Sequence, residues 1–149
     1  MDISHPLPAV PFNPATVAPP IGKYSHLVPV DPGAQWVFIS GQVGAHADGT
    51  IGKGAYEQTH AVFSNIEQLL TELDATPRNI VRLLTFVAGV EHLPEFYRAR
   101  DEVYARWYPD DVYCGHSLAV VAALADPKLH LEMEGWVALS PTSADSDVV

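Results

Sequence analysis

His116, Glu132 and Glu134 are the residues of this chain best suited to acid–base chemistry, because they fall in two apolar runs that read as consecutive strands. Ser117 to Leu124 is rich in small and β-branched residues, and Asp126-Pro127 supplies turn chemistry. After the turn, Leu129, Leu131, Met133 and Val137 alternate with His130, Glu132, Glu134 and Trp136. The period of two puts both carboxylates on one strand face. Either that face meets water, as antiparallel sheets allow, or Glu132 or Glu134 lines a polar pocket together with His116 at the start of the neighbouring strand. In the second case imidazole and carboxylate tune each other's protonation and move protons as a pair. His116 also has a plain structural reading, a strand-end histidine bonded to backbone. Cys114 shares its strand face by alternation and invites a Cys/His nucleophile reading; a lone buried thiol is the alternative. His5, His26, His46, His60, His92 and His130 show no zinc-helix spacing, so no metal site is expected.

The elements that would hold these residues follow from periodicity. Gln35 to Ser40, Gln-Trp-Val-Phe-Ile-Ser, reads as a buried strand. It runs into Gly41-Gln42-Val43-Gly44, where glycine predicts a bulge or a close backbone approach. Ala55 to Ala75 is a helix with Tyr56, Phe63, Ile66, Leu70 and Leu73 on one stripe and Glu57, Gln58, Glu67, Gln68 and Glu72 on the other side. Thr76-Pro77 breaks it, and Asn79 to Ala88 reads as strand. Leu93 to Trp107 is a second helix, its stripe formed by Leu93, Phe96, Arg100, Val103 and Trp107, with Pro94 tolerable in the first turn. Lys23 to Val30 alternates as an edge strand ended by Pro29 and Asp31-Pro32-Gly33. Residues 1–20 hold six prolines and read as an extended arm that could drape over the domain or a neighbouring subunit; 21–139 read as one folded domain and 140–149 as a disordered polar tail. Two helical stripes laid on one face of a mixed sheet give an α+β architecture.

Composition narrows the function. In 149 residues there are 18 acidic and 8 basic side chains, a formal net charge of −10 that would repel a phosphate backbone, so nucleic acid is not expected as a partner. Cys114 is the single cysteine, which excludes an internal disulfide and a cysteine-rich metal site. No apolar stretch approaches the roughly 18 residues of a membrane span, the first residues lack a basic-then-apolar leader pattern, and the default location is cytoplasmic.

Several motifs, in order, resemble the Rid family, known also as YjgF or L-PSP. They are Gly22-Lys23-Tyr24-Ser25, Phe38-Ile39-Ser40-Gly41-Gln42, Asn65-Ile66, Thr85-Phe86, His116-Ser117 and Glu132-Met133-Glu134. The resemblance runs from about Pro20 to Leu139. It implies a chorismate-mutase-like α+β fold, a homotrimer, and inter-subunit clefts that take small carbonyl, imine or enamine compounds. The best-known activity of the family, hydrolysis of enamines and imines to carbonyl compounds and ammonia, needs no metal or cofactor. The resemblance makes Glu132 the carboxylate that contacts the catalytic water, and Tyr24 and Ser40 pocket residues. Asp101 falls where asparagine is common and Leu118 where cysteine is common, while Cys114 flanks the same cleft. The departure is His116, which stands where deaminase members carry an arginine that clamps the substrate carboxylate. Histidine cannot reproduce a bidentate fork, and loss of such a pair would weaken binding by about 2–5 kcal/mol. That loss, with an acidic Asp101 if it faces the cleft, disfavours amino-acid-derived imines and leaves two expectations: a hydrolase in which His116 donates or orients a proton, or a non-catalytic binding module. The older ribonuclease label on some relatives finds no electrostatic support in this charge balance.

Overall fold

The computed structural model describes residues 7–141. The first six residues of the proline-rich arm, and 142–149 of the tail expected to be disordered, lie outside the described residues. The elements are β1 (Gln35–Val43), α1 (Gly54–Glu72), β2 (Ile80–Ala88), α2 (Leu93–Trp107), β3 (Gly115–Val121) and β4 (Leu131–Leu139). The strands form one mixed sheet in the order β1-β4-β2-β3. β4 runs antiparallel to both β1 and β2, and β3 runs parallel to β2. A parallel pair needs a crossover, and α2 provides it. The expected α+β architecture is the one observed. Among the described residues no helix is long and apolar enough to cross a membrane.

Both helices lie on one sheet face. Phe63, Ile66 and Leu70 of α1 and Phe96, Val103, Tyr104 and Trp107 of α2 are buried. They meet through Phe63, whose ring lies 5.1 Å from that of Trp107 and 5.9 Å from that of Tyr104. Beneath them Ile39, Leu83, Val87, Leu131, Met133 and Val137 form the sheet side of the core, each large aliphatic contributing about 1.5–3 kcal/mol on burial. Gln58 departs from the sequence expectation. It was expected on the polar side of α1 but is buried, because its amide donates to the carbonyls of Gly52 and Lys128 at 3.0 and 2.8 Å and accepts from the His130 amide at 2.8 Å. A fully bonded amide can be buried without the penalty of an orphan.

The ends of α1 explain its bounds. Glu57 in the first turn accepts the Lys53 amide at 2.8 Å, satisfying a backbone donor at the start of the helix. At the other end Asp74 turns to φ +51 and Ala75 donates to the Leu70 carbonyl at 2.9 Å, a left-handed C-terminal cap.

Lys23 to Val30 does not form the edge strand its alternation predicts. It makes only isolated bridges with the arm, Phe12 to Leu27 and Ala9 to Val30. Prolines on both partners remove donors, so no ladder can extend. Ala9 is buried with Val81 and Ala138, so this part of the arm caps one end of the sheet face opposite the helices. The rest of that face is uncovered. Trp36, Phe38 and Trp136 stand on it 50%, 46% and 41% exposed, with Trp136 6.1 Å from Trp36 and 4.9 Å from Phe38 by ring centroid.

Candidate functional site

The residues singled out by sequence fall into two groups. The first borders a cleft of about 380 Å3 at the N-terminal end of β3, lined by Tyr24, Arg82, His116 and Ser117 among others. Its outer wall is the segment carrying Tyr24. Ser25 pins that segment by donating its amide to the Cys114 carbonyl at 3.0 Å and its hydroxyl to the Tyr113 carbonyl at 2.6 Å. His116 pairs in register with Leu83, which turns its ring to the helix-covered face. There its Nε2 lies 2.8 Å from Thr85 Oγ1. Burial, reinforced by the Arg100 and Arg82 guanidinium charges, pushes the imidazole down to a pKa of about 4. Near neutral pH the ring is therefore uncharged, a hydrogen-bonding group and not an anion clamp.

The second group is built on β1 and β4. Glu132 pairs in register with Val43 on one side and Phe86 on the other, so its side chain stands on the open face. Register slips between Ile39 and Gln42. A side chain at Gly41, inside this bulge, would collide with the Glu132 carboxyl group. Glycine at this position lets the carboxylate lie against the β1 backbone next to the exposed Ser40. The close approach expected from Gly41 is thus made by Glu132 itself.

Within one chain the two groups do not meet. β3 borders β2 and not β4, so His116 is not on the strand neighbouring Glu132, contrary to the sequence reading. His116 lies in line with Leu83 and Gly135, whereas Glu132 is three residues further along β4. Strand spacings put their backbones about 14 Å apart, with the side chains on opposite faces. The sequence could not show this, because strand order is not a local property.

The other expected residues are also accounted for. Asp101 accepts from Arg100 Nε and Nη2 at 3.0 and 2.8 Å and lies 3.6 Å from Lys23 Nζ, so its charge is neutralised and it does not border the cleft. Leu118 is partly buried against the helix-side core. Cys114 is corrected: it is buried, its sulfur lies 4.0 Å from Tyr104 Oη, and burial pushes its thiol pKa up, which removes both ligand contact in this cleft and nucleophilic character. Three residues escaped the sequence reading. Thr85 anchors the His116 ring, Arg100 approaches it, and Arg82 lines the cleft; a hydroxyl on the buried face of β2 was the one signal in the sequence that a polar partner was needed. Among the described residues no group of three or more His, Cys, Asp or Glu side chains converges as metal ligands would.

Comparison with known proteins agrees with this architecture. Residues 15–139 match the family described as Endoribonuclease L-PSP. A RutC family protein from Aquifex aeolicus is 29% identical over 92 residues, 61% of this chain and 68% of that protein. The crystal structure of YyfB, a protein of the conserved Rid family from Yersinia pestis, superposes with a TM-score of 0.75 at 29% identity, covering 89% of this chain and 99% of that one. TdcF from E. coli, solved with bound serine, has a TM-score of 0.65 at 21% identity over 81% of this chain and 91% of its own.

Proposed function

Because this chain belongs to the L-PSP family, known also as Rid or YjgF, we propose that it binds a small imine, enamine or carbonyl compound in a cleft completed by a second copy and hydrolyses the imine. The binding domain is residues 21–139, with 1–20 as an arm and 140–149 as a tail. The observation that carries the reading is the Glu132 carboxylate held over Gly41 on an otherwise aromatic, uncovered sheet face. Once that face is covered, the carboxylate is shielded from bulk water and can hold a single water molecule in position to attack a bound ligand.

The assembly that fits is a homotrimer built on the Trp36–Phe38–Trp136 face, in which Glu132 of one copy approaches the Tyr24–His116 cleft of the next. An uncovered aromatic patch on a soluble domain is the usual mark of such an interface. In the reaction, Glu132 removes a proton from water as its oxygen adds to the imine carbon. The resulting carbinolamine loses ammonia after proton transfer to nitrogen, leaving a carbonyl compound. Neutral His116, fixed by Thr85, orients the ligand or relays that proton. No step calls for a metal or cofactor. A small amino-acid ligand in the TdcF structure supports a small-molecule role for the same fold.

One observation favours a second reading, a binding module without turnover: His116 stands uncharged where deaminase members hold a guanidinium. Ammonia release from freshly generated enamines separates the two. Hydrolysis above the buffer rate that falls by about a hundredfold in Glu132→Gln, within the range for general base catalysis, is expected for the enzyme. Binding of carbonyl compounds without any rate above buffer would leave the module.

A further inference from the structure

We propose that the proline-rich arm is a strap and His26 the positioning residue that fastens it, so that residues 8–18 set the place of Tyr24 in the ligand cleft without bordering it. This rests on the reading above that the cleft takes a ligand. Ala9 bridges Val30 and Phe12 bridges Leu27 in one antiparallel register. Phe12 and Leu27 exchange both backbone hydrogen bonds, at 2.9 and 3.2 Å, and the Asp31 amide donates to the Pro8 carbonyl at 2.9 Å. Ala9 faces the sheet, where it is buried with Val81 and Ala138 among Val28 and Val30. The arm is therefore moored to the domain as far as Phe12. His26 carries the mooring further. Its amide donates to Asn13 Oδ1 at 2.8 Å and its ring Nε2 to the Ala18 carbonyl, also at 2.8 Å. A carbonyl only accepts, so the ε nitrogen holds the proton. One residue thus gathers both ends of the 13–18 loop.

That residue stands beside Tyr24. The two rings meet edge-on with centroids 5.6 Å apart, and both residues line the cleft. The wall they stand on, from Ile21 to His26, has no regular structure. On its inner side Ser25 is bonded to the Cys114 and Tyr113 carbonyls. On its outer side the arm takes the amides of His26 and Leu27. Upstream, Ile21 is 99% exposed and gives no anchorage. Lys23 reaches Asp101 across 3.6 Å on partly exposed surface, a contact worth little. Tyr24 is therefore held between the root of β3 and the arm. A binding side chain must be kept within about 0.5 Å of its working position, and here the strap supplies the support that an edge strand would give. The six prolines among residues 1–20, which rule out that strand, also restrict the free chain, so that few bonds suffice to order it.

The test uses full-chain variants, with butanone as the carbonyl probe in ligand-observed NMR titration. Amide hydrogen exchange at Tyr24 and Ser25 gives a second readout that needs no ligand. His26→Ala should speed that exchange and weaken butanone by about fivefold each, as loss of one hydrogen bond does. His26→Gln, whose amide can donate as the ring does, should restore both to within about twofold of wild type. In a Tyr24→Ala background His26→Ala should weaken butanone no further, because it acts through that ring. Unchanged exchange in His26→Ala, a His26→Gln variant as impaired as His26→Ala, or an equal further loss in the Tyr24→Ala background would each overturn the assignment. The two readings fail separately. Wild type that neither binds butanone nor hydrolyses an enamine, with exchange at Tyr24 still governed by His26, sinks the ligand cleft and leaves the strap. Butanone binding untouched by His26→Ala keeps the cleft and sinks the strap.

Discussion

At the scale of single residues, His116 carries a cost that pH can expose. Its folded-state pKa of about 4 lies below the ordinary histidine value of 6.5, so between those values the unfolded chain binds the proton more tightly. The neutral ring's contribution is therefore fully present above about pH 6.5 and is lost progressively as pH falls toward 4. Wild type should lose about 1–3 kcal/mol more than His116→Asn over that window, read from urea midpoints at both ends. A variant that loses as much as wild type would mean the ring is not held neutral. The sequence singled out position 116 through a motif, but not the ring's state. That state comes first from burial and then from the Arg100 and Arg82 charges, while Thr85 on β2 bonds the ring; Thr85 and Arg100 lie 31 and 16 positions away, and only the fold brings them near.

At the scale of elements, Gln58 ties the first turns of α1 to the loop before β4, since it bonds Gly52, Lys128 and the His130 amide at once. That brace sets where β4 begins, and so where Glu132 sits. Gln58→Leu keeps the volume but strands two carbonyls and an amide, and should destabilise by about 2–4 kcal/mol, measured by chemical denaturation. A change below about half a kcal/mol, typical of a surface site, would show that water replaces the amide. Periodicity read the centre of the α1 stripe, Phe63, Ile66 and Leu70, while Tyr56 and Leu73 at its ends are only half-buried; it put Gln58 outside, because a satisfied buried amide looks polar in sequence. It read α2 to its ends, Leu93 and Trp107, because Pro94 and Pro109 punctuate that helix locally. Lys23 to Val30 misled for the converse reason: alternation was present, but the partner strand it needs was a proline-rich arm that cannot supply a ladder.

At the scale of the whole molecule, the uncovered aromatic face and the division of the site belong together. Glu132 and His116 are on opposite faces of one sheet, so a joint site requires another copy. Trp136→Glu should convert the proposed trimer to monomers in sedimentation equilibrium, with circular dichroism unchanged, and should abolish enamine hydrolysis with Glu132 intact. An unchanged mass would remove the sheet face from the interface. A monomer with full activity would mean that one chain holds the whole site.

The sequence by itself determined what is local: the two helices, the presence of the strands, the bulge glycine at Gly41, and the motifs that carry the family; it did not show that β1, read as buried at Gln35 to Ser40, buries only Ile39 and leaves Trp36 and Phe38 about half exposed. Side-chain period and turn chemistry are short-range, and they are written in neighbouring residues. Only the tertiary structure decided that β2 inserts between β4 and β3, and that Glu132 closes over Gly41 while His116 turns under the helices. Each depends on which strand pairs with which, and chain separation carries no record of that.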